Sequence, residues 1–307
     1  MEKIKVAVIG TGRLGFQHAR VFHEMPEAKL VAICDISKKK ADEAASQFQC
    51  KCFYDYKDIV HSDINCLSIA VPTPLHFAVS KYFLENYKDL LIEKPFTNNL
   101  KEARQLMAIA KKNSLILQVG HIERFNSIIR EIKKIINEPK FIECHRLGPY
   151  PNRGSETGVV LDLMIHDLDI ILHLVKSKLK SIDAVGVNIL SQTEDIANAR
   201  LRFRNNCVCN ITASRISTET TRKIRFFQKD TYISLDYVNQ EAKIYTKKEN
   251  QIIPKTIRTT KEEPLKNELR DFVKCVALRK DPLVTAKEAT NALALAIKIS
   301  TFIKKQS

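Results

Sequence analysis

The 307-residue chain contains no apolar run approaching the roughly 18 residues that cross a bilayer. Its richest stretch, Val159 to Val175, is broken by Asp162, His166, Asp167, Asp169 and His173. The opening ten residues hold only four consecutive apolar side chains before Gly10, the pattern of a strand rather than a secretory leader. A cytoplasmic protein with reduced thiols is the expectation. Neither Cys50-Lys-Cys52 nor Cys207-Val-Cys209 has the C-x-x-C spacing of a zinc or redox site, so the eight cysteines read as structural. Repeats and low-complexity linkers are absent as well.

Also missing is any basic helix or aromatic-rich RNA motif to accompany the net charge of +15. Basic residues are spread along the chain, and lysine outnumbers arginine more than twofold. Nucleic acid is therefore not the expected partner. Two readings of the charge remain, a solvated lysine-rich surface and a field that draws in an anionic substrate.

The length suggests about two domains. Up to residue 120, short β-branched or apolar runs (Lys5 to Ile9, Lys29 to Cys34, Leu67 to Val71, Leu90 to Ile92, Leu115 to Val119) alternate with helical stretches. The helices are expected at Arg13 to Glu24, Lys38 to Phe48, Leu75 to Glu85 and Leu100 to Lys112. Continuous apolar strands separated by helices predict a parallel sheet covered on both faces. Beyond His121, helices are expected at 124–137, 160–175, 264–279 and 285–304, and residues 182–245 alternate like consecutive antiparallel strands. The sequence thus divides into an α/β domain, 1–120, and an α+β domain, 121–307.

Gly10-Thr11-Gly12-Arg13-Leu14-Gly15 is a G-x-G-x-x-G motif that follows the first expected strand and opens the first expected helix. In a Rossmann domain these glycines serve a tight turn, close approach to a pyrophosphate, and helix–strand packing. The phosphates would rest on the helix N-terminus. Asp35, twenty residues after Gly15 at the end of the second strand, suits the ribose hydroxyls and repels a 2′-phosphate, which favours NAD over NADP; Lys38, Lys39 and Lys40 lie nearby.

Glu93-Lys94-Pro95 follows a strand, so Lys94 sits at the carboxyl edge where open α/β sheets bind ligands. A partly desolvated lysine there donates a hydrogen bond to a substrate oxygen or exchanges a proton. On the apolar helix 160–175, Asp162, His166, Asp169 and His173 are spaced 4, 3 and 4, one narrow stripe at about 100° per residue. Asp167 alone falls off that line. Such a stripe suits acid–base chemistry, each histidine being oriented by an aspartate one turn away. A water-facing stripe is the alternative. Asp and His at i, i+4 also suit a metal, but no third ligand is evident and none is expected.

At these residues the chain resembles the glucose–fructose oxidoreductase/inositol dehydrogenase/MocA family. The resemblance is carried by the glycine motif with Asp35, by Val71-Pro-Thr-Pro-Leu-His76, by Glu93-Lys94-Pro95, and by Asp162-x-x-x-His166, in family order. It implies an NAD-binding Rossmann domain plus a domain with a large, mostly antiparallel sheet, often an interface in homodimers or homotetramers. It also implies that Lys94, Asp162 and His166 form the catalytic trio. Pro72, Thr73, His76, Glu93 and Lys94 would join the glycine loop around the cofactor, and Arg124 and Asn126 would reach the substrate. Ser127 stands where relatives often have proline, and Met164 where many have glycine.

Three segments, at Gly12–Ala19, Gly120–Asn126 and Gly158–Asp169, are similar to members that oxidise the 3-hydroxyl of UDP-N-acetylglucosamine, supplying an aminotransferase that makes diamino sugars for lipid A. In that chemistry His166 takes the hydroxyl proton, Lys94 hydrogen-bonds the same oxygen, and Asp162 orients His166. Whether Lys94 or His166 is the formal base stays open. The rivals are a dehydrogenase of inositol, a free sugar or a uronate nucleotide sugar, and a non-catalytic NAD-binding regulator. Lys94, Asp162 and His166 together argue against the regulator, which has no chemical need of all three.

Overall fold

A computed structural model describes residues 2–150 and 156–306. The chain forms two compact units, Met1–Ile122 with Glu263–Thr290, and Glu123–Glu262 with Asn291–Ser307.

The first unit is built on six strands, β1 (Ile4–Ile9), β2 (Ala28–Cys34), β3 (Lys51–Phe53), β4 (Cys66–Ile69), β5 (Asp89–Glu93) and β6 (Leu117–Gly120). They lie in the order β3-β2-β1-β4-β5-β6, and every pairing is parallel. Helices α1 (Arg13–Glu24), α2 (Lys38–Phe48), α3 (Thr73–Glu85) and α4 (Leu100–Lys112) connect them. Strand order reverses between β1 and β4, and that switch point is where doubly wound sheets bind ligands. β3 is absent from the sequence reading because three residues carry no period.

The second unit holds α5 (Ser127–Lys133), β7 (Phe141–Leu147) and a helical segment with two windings, a π turn (Val160–Met164) followed by α6 (Ile165–Val175). Strands β8 (Leu179–Val187), β9 (Ile196–Phe203), β10 (Val208–Ser214), β11 (Thr221–Gln228), β12 (Thr231–Asp236), β13 (Glu241–Lys248) and β14 (Gln251–Arg258) complete one eight-stranded sheet. Its order is β14-β13-β12-β11-β7-β10-β9-β8. Only β7 with β10 is parallel; the other pairings are antiparallel. β7 and β14 lie outside the strands expected from sequence. On the outward face Phe141, Phe227, Tyr232 and Tyr245 form a ladder with centroids 4.9–5.7 Å apart across neighbouring strands, the cross-strand pairing that stabilises a sheet.

The chain ends in α7 (Pro264–Leu278) and α8 (Ala286–Lys304). The single boundary near residue 120 needs amendment here, because Glu263–Thr290 lies with the first unit. Leu265, Leu269, Phe272, Val273 and Val276 give α7 an apolar stripe, buried in one cluster with Val6, Phe22, Leu30 and Leu91. A stripe of that kind requires a partner, and sequence neighbourhood does not say which one. Among the described residues no helix is long and apolar enough to cross a membrane.

Candidate active site

The nucleotide-binding half begins where β1 runs into Gly10, whose φ is +90° and whose Cβ, if present, would lie 2.7 Å from the Ala70 carbonyl oxygen. A side chain is excluded there by both backbone and space. At Gly15 an added Cβ would come within 1.8 Å of the Gly10 oxygen, so α1 approaches the loop closely only with glycine. Gly12 differs, since nothing of the protein lies within 4 Å of its missing Cβ. It precedes α1 without a side-chain cap, leaving a cradle at a helix N-terminus open to a phosphate. The loop therefore fits a dinucleotide.

Asp35 lies immediately beyond β2. Its Oδ2 accepts from the Thr11 amide at 2.7 Å and the Thr11 hydroxyl at 3.0 Å, and its Oδ1 from the Ser37 amide at 2.8 Å. The carboxylate thus adjoins the glycine loop at the end of the second strand, where a ribose would be held. Thr11 is buried, whereas Arg13, Leu14 and Pro72 are exposed and Thr73 is half-buried at the start of α3. His76 is fully enclosed. Its two ring nitrogens lie 2.9 Å from the carbonyls of Pro95 and Val71, so it ties together the loops after β4 and β5. Burial lowers its pKa against the pull of those carbonyls, favouring a neutral ring that donates to one of them.

Glu93 closes β5 and Lys94, half-buried, follows it. Glu93 Oε1 lies 3.1 Å from His18 Nε2, and Oε2 accepts from the Lys94 amide at 3.1 Å. His18 Nδ1 in turn meets Ser68 Oγ at 2.7 Å. Burial drives the Glu93 pKa upward, but His18 and Lys94 outweigh it and hold the carboxyl below its ordinary value. Gly120 on β6 makes the room: a Cβ there would sit 2.8 Å from Glu93 Oε1. Sequence analysis missed His18 and Ser68; the available signal was polar residues on the buried faces of α1 and β4.

In the second unit the expected stripe on helix 160–175 divides. Residues 160–164 wind as a π turn, so the 100° wheel applies only from Ile165 onward. Asp162, whose amide donates to the Gly158 carbonyl at 3.0 Å, is half-buried on the π turn, and His166 is half-buried on the first turn of α6. Asp169 is buried 3.4 Å from Arg124 Nη1. His173 lines a cavity of about 320 Å³ with Lys133, Pro139 and Asn205. Asp162 and His166 are thus both half-buried, one on the π turn and one on the first turn after it. π turns inside α-helices often mark functional sites.

Asp167, off the stripe, has a separate use. Arg146 of β7 forks onto it at 2.8 and 3.1 Å, reaches Glu123 Oε1 at 2.9 Å, and lies over the Tyr237 ring at 5.4 Å. Burial opposes the charge on Arg146, but Asp167 and Glu123 hold its pKa well above the ordinary value. Arg124 and Asn126, which the resemblance assigned to substrate, are both buried in this unit. Asn126 Oδ1 accepts from the Ile128 amide at 3.4 Å to cap α5, and its amide donates to the Tyr237 carbonyl at 3.1 Å. Ser127, where relatives often have proline, uses its hydroxyl at 2.9 Å from Gln240 Oε1 and 2.6 Å from Thr259 Oγ1. Met164 is fully buried.

The π turn is anchored from the β8–β9 loop, another feature that sequence missed. The Val159 amide donates to the Glu194 carbonyl at 3.1 Å and the Val160 amide to Glu194 Oε1 at 3.3 Å. A Cβ at Gly158 would fall 2.1 Å from that carboxylate oxygen, so any side chain there would push Glu194 off the Val160 amide.

The family model described as "Oxidoreductase family, NAD-binding Rossmann fold" matches residues 4–121, and the GFO/IDH/MocA C-terminal domain matches 131–233. The chain belongs to the glucose–fructose oxidoreductase/inositol dehydrogenase/MocA family. This family member is 30% identical over 311 residues to the UDP-N-acetylglucosamine 3-dehydrogenase of Acidithiobacillus ferrooxidans, covering 99% of this chain and 98% of that one. The solved structure of that enzyme superposes with a TM-score of 0.93 at 30% identity, covering 99% of each chain. It is also 26% identical over 318 residues to the scyllo-inositol 2-dehydrogenase (NAD(+)) of Bacillus subtilis, with 96% of this chain and 92% of that one aligned. The protein is an NAD-dependent sugar dehydrogenase of this family.

Proposed function

We propose that the enzyme oxidises the 3-hydroxyl of UDP-N-acetylglucosamine to the 3-keto sugar, and that Lys94, Asp162 and His166 carry the reaction. The observation that carries the substrate is the likeness to the Acidithiobacillus ferrooxidans enzyme, which runs the length of both chains rather than the NAD-binding domain alone. Bound in the Gly10–Gly15 cradle, NAD⁺ supplies the hydride acceptor. His166 takes the hydroxyl proton, Lys94 hydrogen-bonds the same oxygen, and Asp162 orients His166. The proton has to leave as the C–H bond breaks, because an alkoxide in a low-dielectric site is costly unless paired.

Equilibrium lies towards the alcohol, so the informative assay couples the reaction to glutamate and an aminotransferase that drains the ketone. The expected result is a 3-amino UDP-sugar by mass spectrometry, with deuterium from C3 recovered in NADH. NADH formation with deuterium retained at C3 would move the chemistry to another carbon. If free inositol turns over and no UDP-sugar does, the inositol reading, favoured by the Bacillus subtilis relative, replaces this one.

Cofactor choice follows from Asp35. A 2′-phosphate beside its carboxylate would bring two anions together, so NADH is expected to bind more tightly than NADPH. Asp35→Ala should narrow that gap about tenfold in a fluorescence titration. NADPH binding as tightly as NADH to the unaltered protein would exclude this role for Asp35.

A further inference from the structure

Glu268, on α7, is fully buried, and neither carboxylate oxygen has a hydrogen-bond partner among the described residues. It faces His18 of α1 and Glu93 of β5, and one polar atom from each of the three lies within 4.8 Å of the others. Asp271 on its own helix adds a second negative neighbour. From β6 the Gln118 amide donates at 3.3 Å, but to the Glu268 backbone carbonyl and not to the carboxyl. A dry site with two carboxylates and one imidazole cannot keep both acids ionised. Glu93 accepts from the Lys94 amide and has the His18 ring 3.1 Å away as an ion-pair neighbour, whereas Glu268 accepts from no donor among the described residues.

We propose that Glu268 is a positioning residue for the Glu93-Lys94-Pro95 segment, a neutral carboxylic acid in a buried trio with His18 and Glu93 that leaves Glu93 the single anion there. Burial and the two neighbouring carboxylates all act in this direction, raising the Glu268 pKa well above its ordinary value. With one fixed anion, Glu93 keeps its ion pair with His18 and its bond from the Lys94 amide. A second charge beside it would loosen both and shift the lysine that follows.

The test compares the full-length protein with Glu268→Gln, which keeps the shape but cannot ionise, by urea unfolding between pH 6 and pH 8. Above its ordinary value of 4.5 an unfolded glutamic acid is ionised, while the folded acid stays protonated, so unfolding releases a proton. Stability contributed by Glu268 is then lost as pH rises. The unfolding constant of the unaltered protein, relative to Glu268→Gln, should grow about tenfold per pH unit. A constant ratio would mean that Glu268 is ionised in the fold, overturning the proposal. So would a chelator that destabilises the unaltered protein but not Glu268→Gln, because the trio would then hold a cation rather than a proton.

The positioning role, which rests on the dehydrogenase reading, predicts that Glu268→Ala lowers kcat about tenfold or more at unchanged KM, and that Glu268→Gln restores it. An alanine variant that is folded and fully active would overturn positioning. If the unaltered protein oxidises no sugar, the proposed function fails, while the pH slope still reads the proton on Glu268.

Discussion

His166→Ala is expected to lower kcat by about 10²–10⁴-fold while NADH affinity is unchanged. The imidazole is half-buried on the first turn of α6, and Asp162 stands one turn before it on the π turn. The nucleotide cradle lies in the other unit, built from Gly10 to Gly15 and Asp35. In the proposed function the ring is the proton acceptor, so its loss is expected in kcat rather than in NADH affinity. NADH titration and steady-state turnover, measured on the same preparation, separate the two effects. Near-normal turnover in the variant would remove His166 from the mechanism and leave Lys94 as the base.

Arg146→Leu should strongly destabilise the second unit. Arg146 is the cation between Glu123 and Asp167, all three buried, and its guanidinium also covers Tyr237. Removing one member of a buried ion network strands its partners without solvent, at a cost of about 3–5 kcal/mol. The lower limit is not set by a surface salt bridge, which is worth about 1 kcal/mol or less. Urea denaturation followed by circular dichroism checks it. Because Asp167 lies next to His166 in the chain, turnover should fall together with stability, unlike in His166→Ala. A loss below about 1 kcal/mol would show that the network is solvated rather than buried.

The legibility of these features differs for a physical reason. The glycine loop could be read from six residues because its constraints are local: a positive φ at Gly10, contact of Gly15 with the backbone five residues before it, and empty space at Gly12. Asp35 was placed by the same logic, one strand further on. The parallel sheet was legible because strands buried on both faces must be continuously apolar. β7 was not, since its inward positions Ile142, Cys144 and Arg146 mix apolar with charged, and its partners β10 and β11 come more than sixty residues later in the chain.

The helix that bears Asp162 and His166 shows where the division falls. Its sequence determined that a largely apolar helix carries carboxylates and imidazoles along one narrow stripe, with a water-facing stripe as the alternative. It did not determine which partners the segment takes. That was decided by Arg124 and Arg146, which claim Asp169 and Asp167 from elements far off in sequence, and by Glu194, which anchors the π turn. The same holds for α7: an apolar stripe is written in its residues, but that it packs with Val6 and Phe22 and brings Glu268 to His18 and Glu93 depends on contacts between residues more than 170 positions apart. Periodicity records which face a segment must bury, since burial is a property of each side chain. The partner in that burial is a property of the pair, and only the folded chain brings the pair together.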